Sequence, residues 1–161
     1  MNAIEVLKAD HARVQALFRQ YETAGNQAQR ELAEQIFTEL EVHASLEEEL
    51  FYPAVRAPLD TVIVEEEPAD ETGEDEEVDL IAQAQEEHQQ VKSLIAALRA
   101  LEPGDAQFQA TFAELREGVE EHVGMEEDEL MPAVAAALGR ELERLGQQLE
   151  ARRGQLMAGK A

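Results

Sequence analysis

Two stretches of the sequence repeat one pattern of histidine, glutamate and proline. The first reads EVHASLEEELFYP over residues 41–53, and the second reads EEHVGMEEDELMP over residues 120–132. In each stretch a histidine is followed four residues later by a glutamate, which gives the pairs His43 with Glu47 and His122 with Glu126. Residues four apart on an α-helix lie on one face, so each pair can point two donor atoms at one place. The pattern indicates metal binding.

The other two histidines of the chain stand alone in similar surroundings. ADHARVQALF around His11 and EEHQQVKSLI around His88 place a histidine, a valine and a leucine at the same offsets. His88 follows His11 by 77 residues (88 − 11), and His122 follows His43 by 79 (122 − 43). We infer that one helical hairpin is repeated, and that each copy supplies a lone histidine and then a His-x-x-x-Glu pair.

Amphipathic helices are the elements that must position these histidines. Around each histidine, apolar residues recur at alternating spacings of three and four, which is typical of a helix with one buried face. Two hairpins packed about a pseudo-twofold axis make a four-helix bundle in which the polar residues of the four buried faces converge. We therefore predict an all-α fold. Residues that break or end a helix follow each segment: Gly25, Pro53, Pro103 with Gly104, and Pro132.

Two further regions lie outside the four predicted helices. An acidic connection over about residues 56–78 includes ten acidic residues between Glu65 and Asp79, and we expect it to be a solvated link, with cation collection as the alternative. Beyond Pro132, Leu142 and Leu145 belong to an additional C-terminal helix that packs on the outside or forms a homodimer. We assign that helix no chemistry. The predicted division is a bundle over residues 1–135 and a helical tail over residues 136–161.

Composition limits the classes of function. The chain has 161 residues and a formal net charge of −23, which disfavours nucleic acid and anionic membranes as partners. The sequence contains no cysteine, so any metal must be held by nitrogen and oxygen. No stretch has the length and apolarity of a membrane span or a leader peptide. We expect a cytoplasmic protein.

Four imidazoles and two carboxylates inside a bundle need a compensating charge, because buried unpaired charges cost several kcal/mol. The repeat predicts two metal ions, each held by two imidazoles, with Glu47 and Glu126 bridging between them. Two nitrogens and two oxygens leave positions open for hydroxide, water or a small molecule. Iron or manganese suits such donors, although zinc or copper could occupy them. The alternative is a metal-free bundle in which the histidines pair with the glutamates.

The ordered set of histidines and glutamates resembles the hemerythrin-like family, the bacterial His-His-Glu cation-binding domains. The resemblance covers about residues 4–132. It implies an up-down-up-down four-helix bundle around a non-haem di-iron centre with an oxo or hydroxo bridge. The metal ligands that it implies are His11, His43, Glu47, His88, His122 and Glu126.

One feature of the oxygen-carrying hemerythrins is missing. Those proteins have a fifth histidine one helical turn from the third-helix ligand, where this chain has Ala84 and Lys92. They also have a longer spacing to an aspartate in the last motif. A symmetric centre with fewer ligands favours contact with peroxide, nitric oxide or incoming iron over reversible oxygen carriage.

Several nearby residues could support the centre. An extra ligand, if one exists, would come from Glu48 or Glu127, although solvated charge is the more ordinary role for both. Tyr52 could donate a hydrogen bond to the centre or simply pack. Asp10 and Glu87 could orient a ligand on a neighbouring helix, or could be plain surface charge.

Three functions fit this sequence. The first is a di-iron protein that binds or senses a small diatomic ligand or peroxide. The second is an enzyme that consumes peroxide or nitric oxide at the metals. The third is a protein for iron handling and protection from oxidative stress. The sequence does not choose between the first two.

Overall fold

The computed structural model describes residues 1–65 and 79–160, and all regular structure in those two ranges is helical. Two π-helical turns, Glu47–Phe51 and Glu126–Leu130, each join two α-helices into one longer rod. The all-α expectation is confirmed. The α-helices are α1 (Ala3–Thr23), α2 (Asn26–Leu46), α3 (Tyr52–Glu65), α4 (Leu80–Arg99), α5 (Ala106–Met125), α6 (Met131–Leu138) and α7 (Glu141–Gly159).

The two helices that carry the lone histidines both begin with a side-chain cap. The Asn2 side chain accepts a hydrogen bond from the Glu5 backbone N–H, and the Glu5 carboxylate accepts one from the Asn2 N–H. At the start of α4, Asp79 accepts from the Ala82 N–H. Such caps pair backbone donors that have no partner within the helix. They fix where α1 and α4 begin.

Each π-helical turn begins at the glutamate of a His-x-x-x-Glu pair and is followed by a proline. Pro53 and Pro132 each lie six residues after their glutamate (53 − 47 and 132 − 126). A proline has no N–H for the carbonyl four residues earlier and its ring clashes with that carbonyl. In both cases that carbonyl lies in the π turn, where the backbone is wider. The prolines therefore do not end their helices, and α3 continues to Glu65.

This differs from the expected start of the acidic connection at about residue 56. Residues 56–65 are helical, and the remainder of that connection, residues 66–78, lies outside the described residues. None of the described helices is long and apolar enough to cross a membrane.

The bundle interior has two apolar clusters with a polar layer between them. One cluster includes Leu7 and Leu46, and the other includes Val14 and Leu40. On α1 and α2, therefore, apolar residues of different clusters flank each histidine, and α4 and α5 repeat the arrangement. The polar layer is thus enclosed at both ends by packed side chains. The histidines belong to the core.

The additional C-terminal helix predicted from its leucines is α7. Leu142, Leu145 and Leu149 are buried, and α7 packs against α1, α2 and the first π turn. At Gly146, α7 approaches the residues that begin α1 so closely that a Cβ would collide with the backbone of Met1 and Asn2. This close approach places α7 across the first hairpin of the repeat, on its outer face.

Candidate metal centre

The six polar residues predicted to converge do meet in the middle of the bundle. Glu47 and Glu126 are 0% exposed, and the four histidines are 4–6% exposed. Their ligand atoms form two groups, and within each group the atoms lie within 4.8 Å of one another. The first group is His11, His43, Glu47 and Glu126, and the second is Glu47, His88 and His122.

Each hairpin of the repeat contributes one pair of imidazoles. The Nε2 atoms of His11 and His43 are 3.2 Å apart, and those of His88 and His122 are also 3.2 Å apart. In both pairs the Nε2 atoms face each other and the Nδ1 atoms face outward. A pair of Nε2 lone pairs directed at one place is the arrangement that a metal ion needs.

The two carboxylates lie between the imidazole pairs. Glu47 Oε1 is 2.6 Å from His43 Nε2 and 3.3 Å from His88 Nε2, so it contacts both hairpins. Glu126 Oε1 does the same, at 3.0 Å from His122 Nε2 and 3.2 Å from His11 Nε2. Each glutamate thus reaches the histidines of the other hairpin, as a bridging ligand would.

Unpaired atoms in this layer show that its donors fit a cation. Glu126 Oε1 and Glu47 Oε2 are buried, and neither has a hydrogen-bond partner within residues 1–65 and 79–160. Glu126 Oε1 is close to two imidazoles, but the angles are not those of a hydrogen bond. A buried carboxylate oxygen without a partner is costly. A cation bound between the glutamates and the histidines removes that cost.

The ionisation of the ligands reflects their mutual attraction. Burial alone would lower the pKa of His43, but the charge of Glu47 and a hydrogen bond to Asp10 raise it well above its usual value. For His122, hydrogen bonds to Glu126 and Glu47 outweigh burial and raise the pKa to about 11. In the metal-free protein these imidazoles therefore hold protons that a metal ion must displace.

The pKa values of the two carboxylates change in the opposite direction and are lowered. Burial would raise the pKa of Glu47, but the charge of His43 lowers it well below its usual value. Burial and the charge of Glu47 would raise the pKa of Glu126. Its hydrogen bonds with His11 and His122 outweigh them, so the pKa of Glu126 lies below its usual value. Both glutamates are thus ionised at neutral pH and available to a cation.

An outer carboxylate lies within hydrogen-bond distance of the Nδ1 atoms of three histidines, whereas His11 Nδ1 has no hydrogen-bond partner among the described residues. Asp10 and Glu87 are hydrogen-bonded to the Nδ1 atoms of His43 and His122, at 3.1 and 3.0 Å. Glu48 Oε1 lies 3.4 Å from His88 Nδ1, and Glu127 Oε2 lies 3.6 Å from His11 Nδ1.

The contacts of Asp10 and Glu87 with Nδ1 atoms favour a role in orienting ligands over plain surface charge. An acceptor at Nδ1 fixes the tautomer in which Nε2 offers its lone pair to a metal. Asp10 and Glu87 therefore orient histidines on neighbouring helices. Glu48 lies within hydrogen-bond distance of His88 Nδ1, and Glu127 lies beyond that distance from His11 Nδ1.

Tyr52 contacts the centre directly. Its hydroxyl donates to Glu126 Oε2 at 3.1 Å and lies 3.4 Å from His88 Nε2. Burial, together with the charges of Glu47 and Glu126, raises the pKa of Tyr52, so the hydroxyl keeps its proton. Tyr52 is thus a hydrogen-bond donor at the centre as well as a packing residue.

Sequence reasoning missed the arginines that hold Asp10. Arg13 lies 2.9 Å from Asp10 Oδ1, and Arg153 of α7 donates to the same oxygen at 2.5 Å. Burial would raise the pKa of Asp10, but the hydrogen bond to His43 and the charges of His43 and both arginines lower it. The helix to which we assigned no chemistry therefore reaches the partner of a candidate ligand. The spacing of charges on α7 gave no signal of this contact.

A small cavity adjoins the imidazoles. It has a volume of about 30 Å³, is lined by all four histidines, and is otherwise walled mostly by valine, leucine and isoleucine. Such a volume holds one or two molecules of about the size of water. Glu41 and the half-exposed Lys92 also line it, on the side where α2 and α4 face solvent.

Comparison with known proteins places this site in a family. The family described as hemerythrin HHE cation binding domain matches residues 2–134, with a second match over residues 79–158. The crystal structure of a hemerythrin HHE cation binding domain-containing protein from Mycobacterium kansasii has a TM-score of 0.78 and 26% sequence identity. The superposition covers 99% of this chain and 89% of that one.

Two curated relatives show the same level of identity. An uncharacterized protein of Mycobacterium tuberculosis is 29% identical over 97% of this chain and 88% of its own length. A protein named DNA nickase from Nostoc sp. is 29% identical over 88% of this chain. The matched region spans only 36% of the nickase, about a third of that protein.

Proposed function

This chain belongs to the hemerythrin HHE cation-binding domain family, and from that premise we propose that it binds two iron ions and reacts with a small oxidant or gas at them. The family and the buried cluster of histidine and glutamate make it a metal-binding protein. The observation that carries the proposal is the pair of imidazole groups joined by two shared carboxylates. Each proposed metal position has its own nitrogens. Glu47 belongs to both ligand groups, and Glu126 links them through its contacts with His11 and His122.

The donor set suits iron. Imidazole with carboxylate and no thiolate is typical of non-haem iron and manganese sites in helical bundles. His11 and His43 would hold one ion, His88 and His122 the other, and Glu47 with Glu126 would bridge them. Bound iron would supply redox chemistry and open positions for an incoming ligand.

The surroundings favour a small and weakly polar partner. The cavity beside the imidazoles has room for a diatomic molecule or peroxide and has mostly apolar walls. Such walls exclude larger polar molecules, because their polar groups would lose hydrogen bonds with water. The Tyr52 hydroxyl donates a hydrogen bond to Glu126 Oε2 and so holds that carboxylate in place beside the proposed metal positions. We therefore propose oxygen, peroxide or nitric oxide as the ligand class.

We do not propose for this chain the activity that the name DNA nickase gives to the Nostoc relative. The matched region is about a third of that protein. A net charge of −23 also opposes the approach of a DNA backbone. The buried cluster of histidine and glutamate supports metal binding without a nucleic-acid substrate.

Reactivity is tested by loading the protein with Fe²⁺ without air and adding one reagent at a time. We expect absorption changes with oxygen, peroxide or nitric oxide, and catalytic loss of peroxide if the centre is an enzyme. The His43→Ala variant should lose the response, whereas Gln89→Ala, on the exposed face of α4, should keep it. A loaded protein that responds to none of the three reagents would overturn the proposed reactivity. Uptake of many more than about two ions per chain would favour iron storage.

A further inference from the structure

Arg153 connects the C-terminal helix to one of the four candidate histidine ligands. Its guanidinium donates to Asp10 Oδ1 at 2.5 Å and to Glu39 Oε2 at 2.8 Å. The other oxygen of Asp10, Oδ2, lies 3.1 Å from His43 Nδ1. A continuous series of contacts thus runs from α7 through α1 to a ligand on α2.

Burial makes this contact different from an ordinary surface ion pair. Asp10 is 2% exposed, and the side chain of Arg153 is 17% exposed. A carboxylate removed from water needs compensation by charge and hydrogen bonds. Arg153 supplies both, and its planar fork spans Asp10 and Glu39 at once. Arg13 also reaches Asp10, but its side chain is 41% exposed.

The second hairpin has no equivalent of this arrangement in the described part of the chain. The repeat relates Asp10 to Glu87, Arg13 to Gln90 and Glu39 to Gly118. Glu87 accepts from His122, but its side chain is 20% exposed and no arginine or lysine is paired with it in the described ranges. A groove of about 250 Å³ between α4 and α5 lies at Glu87, Gln90 and Gly118, where α7 has no counterpart.

We propose that Arg153 is a positioning residue, which holds Asp10 in place and through it fixes the orientation of His43 toward the first metal position. This inference rests on the proposed metal binding by His43. Without the arginine, the half-exposed Arg13 is the one remaining arginine or lysine that is paired with the buried Asp10 and Glu39 carboxylates in the described residues. Asp10 then turns toward water and releases His43 Nδ1. The first metal position weakens, while the second keeps its own outer contacts.

The test is a titration of the full metal-free chain with Co²⁺, which reports binding by absorption and calorimetry. We expect two binding steps in the unaltered protein. Arg153→Gln should weaken one step by about tenfold, the lower end of the effects seen when an outer partner of a ligand is lost. Arg152→Gln is the matched control, because Arg152 is the next residue on α7 and pairs with Glu49 at the surface. It should leave both steps unchanged.

Two further measurements separate positioning from a general effect on stability. In the Co²⁺-loaded protein, NMR resolves the exchangeable Nδ1–H signal of each bound histidine, and Arg153→Gln should displace the His43 signal alone. Arg153→Lys should restore the charge but not the fork, and should recover only part of the affinity. If Arg153 acts through Asp10, the double variant Asp10→Ala with Arg153→Gln should bind no more weakly than Asp10→Ala.

The outcomes are distinct for the two proposals. Two normal binding steps in Arg153→Gln, with an unmoved His43 signal, would overturn the role of Arg153 and leave the metal centre standing. Equal weakening of both steps would also overturn it, since the contact belongs to one hairpin. An unaltered protein that binds no Co²⁺ and no Fe²⁺ would overturn both proposals together.

Discussion

The first and second hairpins of this bundle present the same inner residues to the centre but surround them differently. Inside, His11 and His43 match His88 and His122 in the separation of their Nε2 atoms. Outside, Asp10 is buried and held by two arginines, whereas the equivalent Glu87 borders an open groove. The inner residues keep the symmetry of the repeat. The residues behind them differ between the two hairpins, and α7 packs against the first hairpin.

A similar difference occurs at the π-helical turns. Both turns begin at a buried glutamate and precede a proline. The repeat relates Tyr52 to Met131 (131 − 52 = 79), so at this position the first hairpin has a hydroxyl and the second has a thioether. That hydroxyl donates to Glu126, which belongs to the second hairpin. Outer contacts can therefore make two metal positions unequal even when their ligands are the same.

The largest expected effect tests whether His43 and His122 contribute equally to metal binding. His43→Ala and His122→Ala should each weaken Fe²⁺ binding more than about 100-fold, because each removes a ligand and exceeds the effect of losing an outer partner. The two losses should agree within a few-fold in competition with a chromogenic chelator. Gln89→Ala, on the exposed face of α4, is the control and should bind normally. Full binding by either histidine variant would contradict the symmetric ligand set.

The next effect tests the inequality of the outer residues. Asp10→Ala should weaken binding about 100-fold and Glu87→Ala about tenfold, which are the two ends of the usual range. Water can replace Glu87 at the open groove but cannot easily reach the site of Asp10. The same chelator competition measures both variants. Equal losses of affinity would mean that burial and the two arginines do not increase the contribution of Asp10 to metal binding.

Changes in pH should act on the metal-free and metal-loaded proteins differently. The pKa of His122 rises from 6.5 to about 11 on folding. Its contribution to stability is therefore complete below pH 6.5 and is lost as the pH rises toward 11. Metal replaces that proton in the loaded protein, so the difference in Tm between the two forms should widen over this interval. Calorimetric scans at several pH values measure it. A constant difference would contradict the exchange of protons for metal.

The smallest effect concerns the Tyr52 hydroxyl, which has no counterpart at the related position Met131. Tyr52→Phe keeps the ring but leaves Glu126 Oε2 without its donor, and should lower the free energy of unfolding of the metal-free protein by about 1–3 kcal/mol. Tyr21→Phe is the control, because its hydroxyl makes a longer, 3.4 Å bond to Gln109 in a partly exposed place. Urea unfolding compares the two variants. A larger loss from Tyr21→Phe would contradict the importance of the contact with Glu126.

The sequence predicted the helical bundle and the meeting of six polar residues, because the repeat supplies strong local information. Apolar spacing placed each histidine on the buried face of its helix, and the repeat related the two hairpins. The prolines were misleading, because the π turns at Glu47–Phe51 and Glu126–Leu130 let both helices continue. Residue spacing alone does not reveal a change of helical hydrogen bonding.

The contact of Arg153 with Asp10 was beyond prediction for a different reason. These residues are 143 positions apart, and the leucine spacing of α7 predicts a helix without saying where it packs. The close approach at Gly146 fixes that position, and it depends on the backbone of residues 1–3. Outer contacts of this kind follow from packing between elements. They can be read only from the folded chain.

The metal content of the protein decides whether its buried cluster binds a pair of ions. The full chain is loaded with Fe²⁺ without air, freed of unbound metal, and measured for iron by mass spectrometry against protein concentration. We predict about two ions per chain for the unaltered protein, as its paired ligand groups require. The double variant Glu47→Ala with Glu126→Ala, which lacks both bridging carboxylates, should retain almost none. An iron content near zero in the unaltered protein would mean that the cluster does not bind iron.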